Sequence, residues 1–204
     1  LIIICSIVLL VAACRHSQSK PSSKIAGTQK FHRISFLLYE NFDTVLLNSA
    51  VAEASAFYHC GAVILPPAEL PSFAYYEPRH RYKADSLLKF QAALLPAGSQ
   101  TVIGLTNKDI STRSGENADW GVFGLGFCPG NACVISVFRL KSGSYDQIKE
   151  RFIKVVLHEL GHNMGLPHCN ANEYCLMNDA KGTMAQVEKE RKWLCPDCRK
   201  LLSN

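Results

Sequence analysis

His158-Glu159-Leu160-Gly161-His162-Asn163-Met164-Gly165-Leu166-Pro167-His168 is the stretch on which the reading of this 204-residue chain turns. Residues four apart on an α-helix share a face, so His158 and His162 can present their imidazoles to one metal ion. Glu159 projects to an adjacent side, where it reaches a metal-bound water rather than the metal. Gly165 permits the left-handed turn that ends the helix, and the chain swings back to offer His168 as a third ligand. Zinc held by three protein groups, with a fourth position open, lowers the pKa of its water towards about 7. Glu159 can then take the water's proton and pass it to a leaving amine. An H-E-x-x-H string alone turns up by chance in roughly one such chain in a hundred; adding Gly165 and His168 cuts that to roughly a few in a hundred thousand. The other histidines, His16, His32, His59 and His80, have no such partners and read as ordinary surface or core residues.

Working upstream, Ser144 and Gln147 form a capping box that starts the helix carrying this motif. Tyr145, Ile148, Phe152, Val155, Val156 and Leu160 recur at helical spacing and predict its buried face. Residues 34–39, 62–65 and 101–105 are short apolar runs that predict strands. Residues 42–58 (closing at Cys60-Gly61) and 84–95 (ended by Pro96 and Gly98) predict amphipathic helices. Residues 71–81 read as an irregular, aromatic and proline-rich excursion. Residues 120–127 and 133–140 predict a terminal hairpin around Cys128-Pro-Gly-Asn-Ala. Alternating strands and helices followed by an antiparallel pair imply an α+β fold, in which helices pack on a mixed sheet.

Downstream lies a second cluster: Cys169, Cys175, then Cys195-Pro-Asp-Cys198. Two cysteines separated by two residues make a tight knuckle, and Cys169 with Cys175 completes an all-cysteine tetrahedron for a structural zinc. In an exported protein the same thiols can instead oxidise to disulfides. Export is the expectation. Residues 1–13 are apolar but for Ser6, too short to span a bilayer, and run into Val11-Ala12-Ala13-Cys14, which resembles the bacterial lipobox. Residues 1–13 are thus expected to be a lipoprotein signal, the remainder of a longer one since no Met or basic segment precedes it. Cys14 is then the lipidated residue and 14–30 a flexible basic tether. The domain follows at 31–204. The alternative is a buried N-terminal strand or helix. The formal charge is +5, of which Arg15, Lys20, Lys24 and Lys30 supply four, so the basic excess sits beside the expected membrane. No basic helix or aromatic-basic interleave marks a nucleic-acid surface.

The combined string H-E-x-x-H-x-x-G-x-x-H-Cys, then Cys175-Leu176-Met177, seventeen residues, and Cys195 to Cys198, resembles the archaemetzincins, a metzincin-clan family of zinc metallopeptidases. Arg81-Tyr82-Lys83-Ala84, Gly104-Leu105-Thr106 with Asp109-Ile110, and Ser136-Val137-Phe138-Arg139 also look like that family's segments. The resemblance implies a metzincin fold, with a mixed twisted sheet and an antiparallel edge strand over the active-site helix. Residues 120–127 would be the edge strand against which an extended substrate lies. It implies Met177 beneath the catalytic zinc, and two zinc ions: one on His158, His162 and His168, one on the four cysteines. Five residues, 170–174, separate Cys169 from Cys175, where the family usually has four. Cys60, Cys128 and Cys133 have no counterpart, and Cys128 and Cys133 flank a hairpin loop that a disulfide could close. The leading expectation is a monomeric, lipid-anchored peptidase of the bacterial cell envelope acting on peptides or proteins, with narrow or aminopeptidase-like specificity. The alternative is a catalytically idle zinc-binding lipoprotein that holds a peptide or partner; Glu159 beside three intact ligands argues against it.

Overall fold

The computed structural model describes residues 32–203, so the expected signal, Cys14 and the tether lie outside the described residues. The chain order is β1 (Arg33–Leu38), α1 (Thr44–Tyr58), β2 (Gly61–Ile64), β3 (Tyr75–Tyr76), β4 (Arg81–Lys83), α2 (Ala84–Ala93), β5 (Thr101–Thr106), β6 (Ile110–Ser114), β7 (Asn117–Val122), β8 (Gly124–Gly126), β9 (Ala132–Ser136), α3 (Tyr145–Asn163), α4 (Met184–Lys189) and α5 (Pro196–Ser203). Short 3-10 turns lie at 72–74, 77–79 and 138–140. No helix among the described residues is long and apolar enough to cross a membrane.

The apolar runs at the centre of the sheet, β1, β5 and β9, are covered on both faces, as parallel strands between helices must be, while β2 at its edge is exposed. The main sheet runs β2-β1-β5-β9-β8, parallel through its first four strands and closed by the antiparallel edge strand β8. One face (Ile34, Phe36, Ile103, Leu105, Ile135) packs on α1 and α3, including Leu46, Ala50, Phe152, Val156 and Leu160. The other (Leu37, Val102, Val134) packs on Leu87 and Leu88 of α2. Asp43 caps α1 by accepting from the Val45 and Leu46 amides, and His59 ends that helix in the left-handed region, before Cys60-Gly61. The capping box at Ser144 and Gln147 opens α3 as expected. Tyr145 is not on the buried face: it is exposed, and its hydroxyl donates to Asp43 at the start of α1.

Several readings of the sequence need correction. Residues 120–127 are not one strand. The chain breaks at Phe123, so β7 pairs antiparallel with β6 in a small second sheet, while only Gly124–Gly126 pairs with β9. The partner strand likewise stops at Ser136, where Phe138–Leu140 turns. Residues 71–81 are not wholly irregular either, since Tyr75–Tyr76 pairs with Arg81–Lys83 in that second sheet, ordered β3-β4-β6-β7. Ion pairs tie it to the main sheet: Arg139 makes two hydrogen bonds to Asp109 (2.6 and 2.8 Å), and Arg81 lies 3.3 Å from the same carboxylate. The three upstream segments singled out by the resemblance therefore meet in one network. The disulfide suggested for Cys128 and Cys133 is absent. Both are free thiols, Cys133 buried in the core and Cys128 exposed, donating to the Leu166 carbonyl.

Asn163, the last residue of α3, is fully buried and fixes the hairpin to the helix. Its Nδ2 donates to the Phe127 and Ala132 carbonyls (2.9 Å each), and its Oδ1 accepts from Thr101 Oγ1 at 2.6 Å. Asn163→Leu takes their side-chain partner from the Phe127 carbonyl and the Thr101 hydroxyl and removes one of the two donors to the Ala132 carbonyl, which keeps the Phe127 amide. It should cost about 3 kcal/mol or more of unfolding free energy, read by urea denaturation; a loss below about 1 kcal/mol would refute the clamp.

Candidate active site

α3 ends where its sequence stops being helical. Met164 closes the last turn, Gly165 adopts φ 96°, and the chain reverses to bring His168 back towards the helix. The nitrogens of His158, His162 and His168 all lie within 4.8 Å of one another, with His162 Nε2 and His168 Nε2 3.3 Å apart. Backbone carbonyls hold the other nitrogens of the first two rings. His158 Nδ1 donates to Leu176 O and His162 Nδ1 to Leu166 O, each at 2.7 Å, which leaves both Nε2 lone pairs directed at the common point. His168 Nδ1 is 3.9 Å from Asp179 Oδ2. Burial lowers His158 to about 3, with His162 beside it acting in the same direction, and burial lowers His162 to about 4. Both are neutral imidazoles near pH 7, the form a metal ligand requires. The donor set suits zinc.

Glu159 is buried beside this triad, and desolvation pushes its carboxyl up to about 8. It lies against β8. A Cβ added to Gly124 would stand 2.8 Å from Glu159 Oε1, and one added to Gly126 would stand 3.2 Å from Oε2. Two glycines on one face of the edge strand therefore make room for the carboxylate, while Leu125 between them turns to the opposite core. That alternation was present in the sequence as Gly-Leu-Gly within an apolar run, a mark of close approach. Asn163 and the carbonyls of Leu166 and Leu176 had no signal of their own.

Met177 is fully buried against α3, its Sδ 2.5 Å from the place a Gly161 Cβ would occupy. The four expected cysteines converge as well, with their sulfurs within 4.8 Å of one another and all four side chains buried. Cys169 and Cys195 are 3.6 Å apart, and Cys175 and Cys198 3.7 Å. Four thiolates around zinc at about 2.3 Å define a tetrahedron with an edge of about 3.8 Å, so this spacing fits a metal and exceeds a disulfide bond. The extra residue at 170–174 is taken up by a turn closed on Asn172, whose carbonyl accepts from the Cys175 amide and from Asn178 Nδ2. The cluster reaches the triad through the backbone: Leu176 N donates to Trp193 O, Cys169 N donates to Met177 O, and Leu176 O holds His158.

A cleft of about 740 Å³ runs over the triad. β8 lines it together with the chain after Met177, and Trp120 of β7 stands against that chain, 3.2 Å from where a Gly182 Cβ would be. Where α4 meets α3, the wall is Val155, Val187 and Glu190.

Residues 25–204 match the profile of Peptidase family M54. The archaemetzincin of Halobacterium salinarum is 32% identical over 160 residues, which is 74% of this chain and 88% of the relative. That of Methanopyrus kandleri is 35% identical over 135 residues, 66% and 73%. The crystal structure of the Methanopyrus kandleri archaemetzincin is similar with a TM-score of 0.73 at 26% identity, covering 85% of this chain and 94% of the other. That of Archaeoglobus fulgidus, complexed with malonate, gives 0.70 at 25% identity, covering 82% and 99%. The chain belongs to Peptidase family M54, the archaemetzincins, and is a zinc metallopeptidase.

Proposed function

We propose that this chain cleaves peptide bonds with Glu159 as general base, that His158, His162 and His168 hold the catalytic zinc, and that Cys169, Cys175, Cys195 and Cys198 hold a second, structural one. The observation that carries the reading is the convergence of three imidazole nitrogens beside the Glu159 carboxylate, on the floor of a cleft bounded by a free strand edge. Bound there, zinc supplies Lewis acidity: it activates water and draws charge from the scissile carbonyl. Glu159 takes the proton of the attacking water and hands it to the leaving amine nitrogen. Gly124 and Gly126 set where that carboxylate can stand. The peptide lies extended along the open edge of β8, which offers main-chain hydrogen bonds independent of side-chain identity. Met177 and the cysteine cluster keep the Leu176 carbonyl on His158, so the ring stays aimed.

Narrow specificity is supported by Trp120, which stands across the cleft against Gly182 and favours a single extended chain over a folded surface loop. An aminopeptidase-like preference stays part of this reading. Lipidation at Cys14, a tether over 14–30, and action as a monomer in the bacterial cell envelope rest on the sequence pattern alone.

Three outcomes are expected. Glu159→Gln should keep its zinc, measured by elemental analysis, yet lose about 100-fold or more of its turnover of a quenched-fluorescent peptide library; undiminished turnover would sink the base assignment. Gly124→Ala pushes a Cβ into the Glu159 side chain, so kcat should fall about 10-fold or more with zinc content and Tm held. The wild-type chain should bind two zincs, and Cys198→Ser should lose the structural one and lower Tm. If Cys198→Ser keeps the full metal content, the four-cysteine site is wrong.

A further inference from the structure

Glu190 is the one cleft-lining carboxylate that the mechanism does not use and the fold does not pair, among the described residues. It follows the last turn of α4, its amide bonded to the Gln186 carbonyl, and the next residue is tied to Tyr174 O. The residue is only 3% exposed, and its Oε2 is buried without a hydrogen-bond partner. Leaving a carboxylate oxygen in that state costs free energy unless a cation or donor arrives to meet it.

The protein's own cations are spent elsewhere. Lys154, the positive group felt most at Glu190, donates to the carbonyls of Val187 and Glu188 and lies 3.9 Å from Glu150. Arg113 and Lys181 line the same cleft but form no ion pair with Glu190. Around the carboxylate the wall is apolar, from Val155 and Val187, and Glu159 is close enough to add to its negative field. A stem of methylenes ending in a positive charge matches that lining, with the alkyl part against the valines and the charge on the acid. Desolvation pushes the Glu190 carboxyl up to about 8, so near pH 7 it is largely protonated, and a cation set against it would favour the charged form.

We propose that Glu190 is the specificity-determining residue of this cleft and receives the ammonium or guanidinium of a Lys or Arg residue flanking the scissile bond. The proposal rests on the peptidase reading of the same cleft. A free peptide α-amine carries the same charge, so the test must separate the two sources.

The experiment measures binding by fluorescence anisotropy to the zinc-loaded, turnover-blocked Glu159→Gln chain. The probes are N-acetylated peptides identical but for one central position: Lys, Arg, norleucine or Glu. The Lys and Arg peptides should bind at least about 10-fold tighter than the norleucine peptide, with Glu weakest. Adding Glu190→Gln should bring the Lys-to-norleucine ratio to within about 2-fold. This amide keeps the size and polarity of a buried carboxyl that is already largely uncharged near pH 7, so its Tm should equal or exceed the parent's. A ratio unchanged by Glu190→Gln overturns the proposal, and an accompanying drop in Tm would mark the residue as structural. A preference seen only with unacetylated peptides, whatever the central residue, also overturns it, because the cation recognised is then the α-amine. Turnover of the Lys peptide by the wild-type chain is read in parallel. Glu190-dependent binding without cleavage tells against the peptidase reading alone; cleavage with no Glu190-dependent preference tells against this proposal alone.

Discussion

Three imidazoles must offer a lone pair to the same point, and each ring has two nitrogens that could serve. The structure resolves that ambiguity by spending the wrong nitrogen. Leu176 O and Leu166 O each accept from an Nδ1 at 2.7 Å, so only Nε2 of His158 and His162 is left for a metal. Most of the C-terminal third exists to put those two carbonyls where they are. Leu166 is placed by the left-handed Gly165 and by its own amide bonding to Gly161 O. Leu176 is placed by Cys175 before it, Met177 after it, and Trp193 across from it. The cysteine cluster is thus a distant support for one hydrogen bond to one ligand. Damage there should propagate to the histidines.

A second requirement is that the edge strand come close to the helix without displacing Glu159. The Asn163 side chain draws the β8–β9 hairpin onto the end of α3 with two hydrogen bonds and holds Thr101 of β5 with a third, and Gly124 and Gly126 remove the side chains that would otherwise meet the carboxylate. Both devices act at the same end of α3, within four residues of each other on the helix. The proposed general base and the proposed substrate-binding edge are therefore positioned by one rigid element rather than by independent loops, which would keep the spacing between water, proton acceptor and peptide fixed.

What could be read from the residues follows from how local the governing physics is. The helix-borne pair His158 and His162, the cap at Ser144 and the turn at Gly165 are set by near neighbours, and each was legible. The cysteine cluster was legible because few arrangements place four thiols together. The break at Phe123 was not. Residues 120–127 look like one apolar run, and only the competing claims of β6 and β9 on its two halves divide it. Glu190 was hidden for the opposite reason. It sits in Glu-Lys-Glu-Arg-Lys (188–192), which on pattern alone is a solvated charged face; its burial comes from tertiary packing against α3.

That burial also explains the length of chain between Met177 and Cys195. Leaving the methionine, the chain must first form the wall opposite β8, including Asp179 near His168 and Gly182 under Trp120. It must then turn through α4 so that Val187 and Glu190 face the cleft, and return with Trp193 bonded to Leu176 before reaching the cysteine knuckle. The segment is anchored at both ends, by Met177 against α3 and by Cys195 in the cluster, so an insertion or deletion within it would shift the cleft wall relative to the triad. The 170–174 loop is tied to the same wall, since Glu173 pairs with Lys189 and Tyr174 O accepts from the Arg191 amide. Its own turn closes on Asn172, whose carbonyl accepts from the Cys175 amide and from Asn178 Nδ2. Loop, cleft wall and cysteine cluster are therefore spaced together rather than independently.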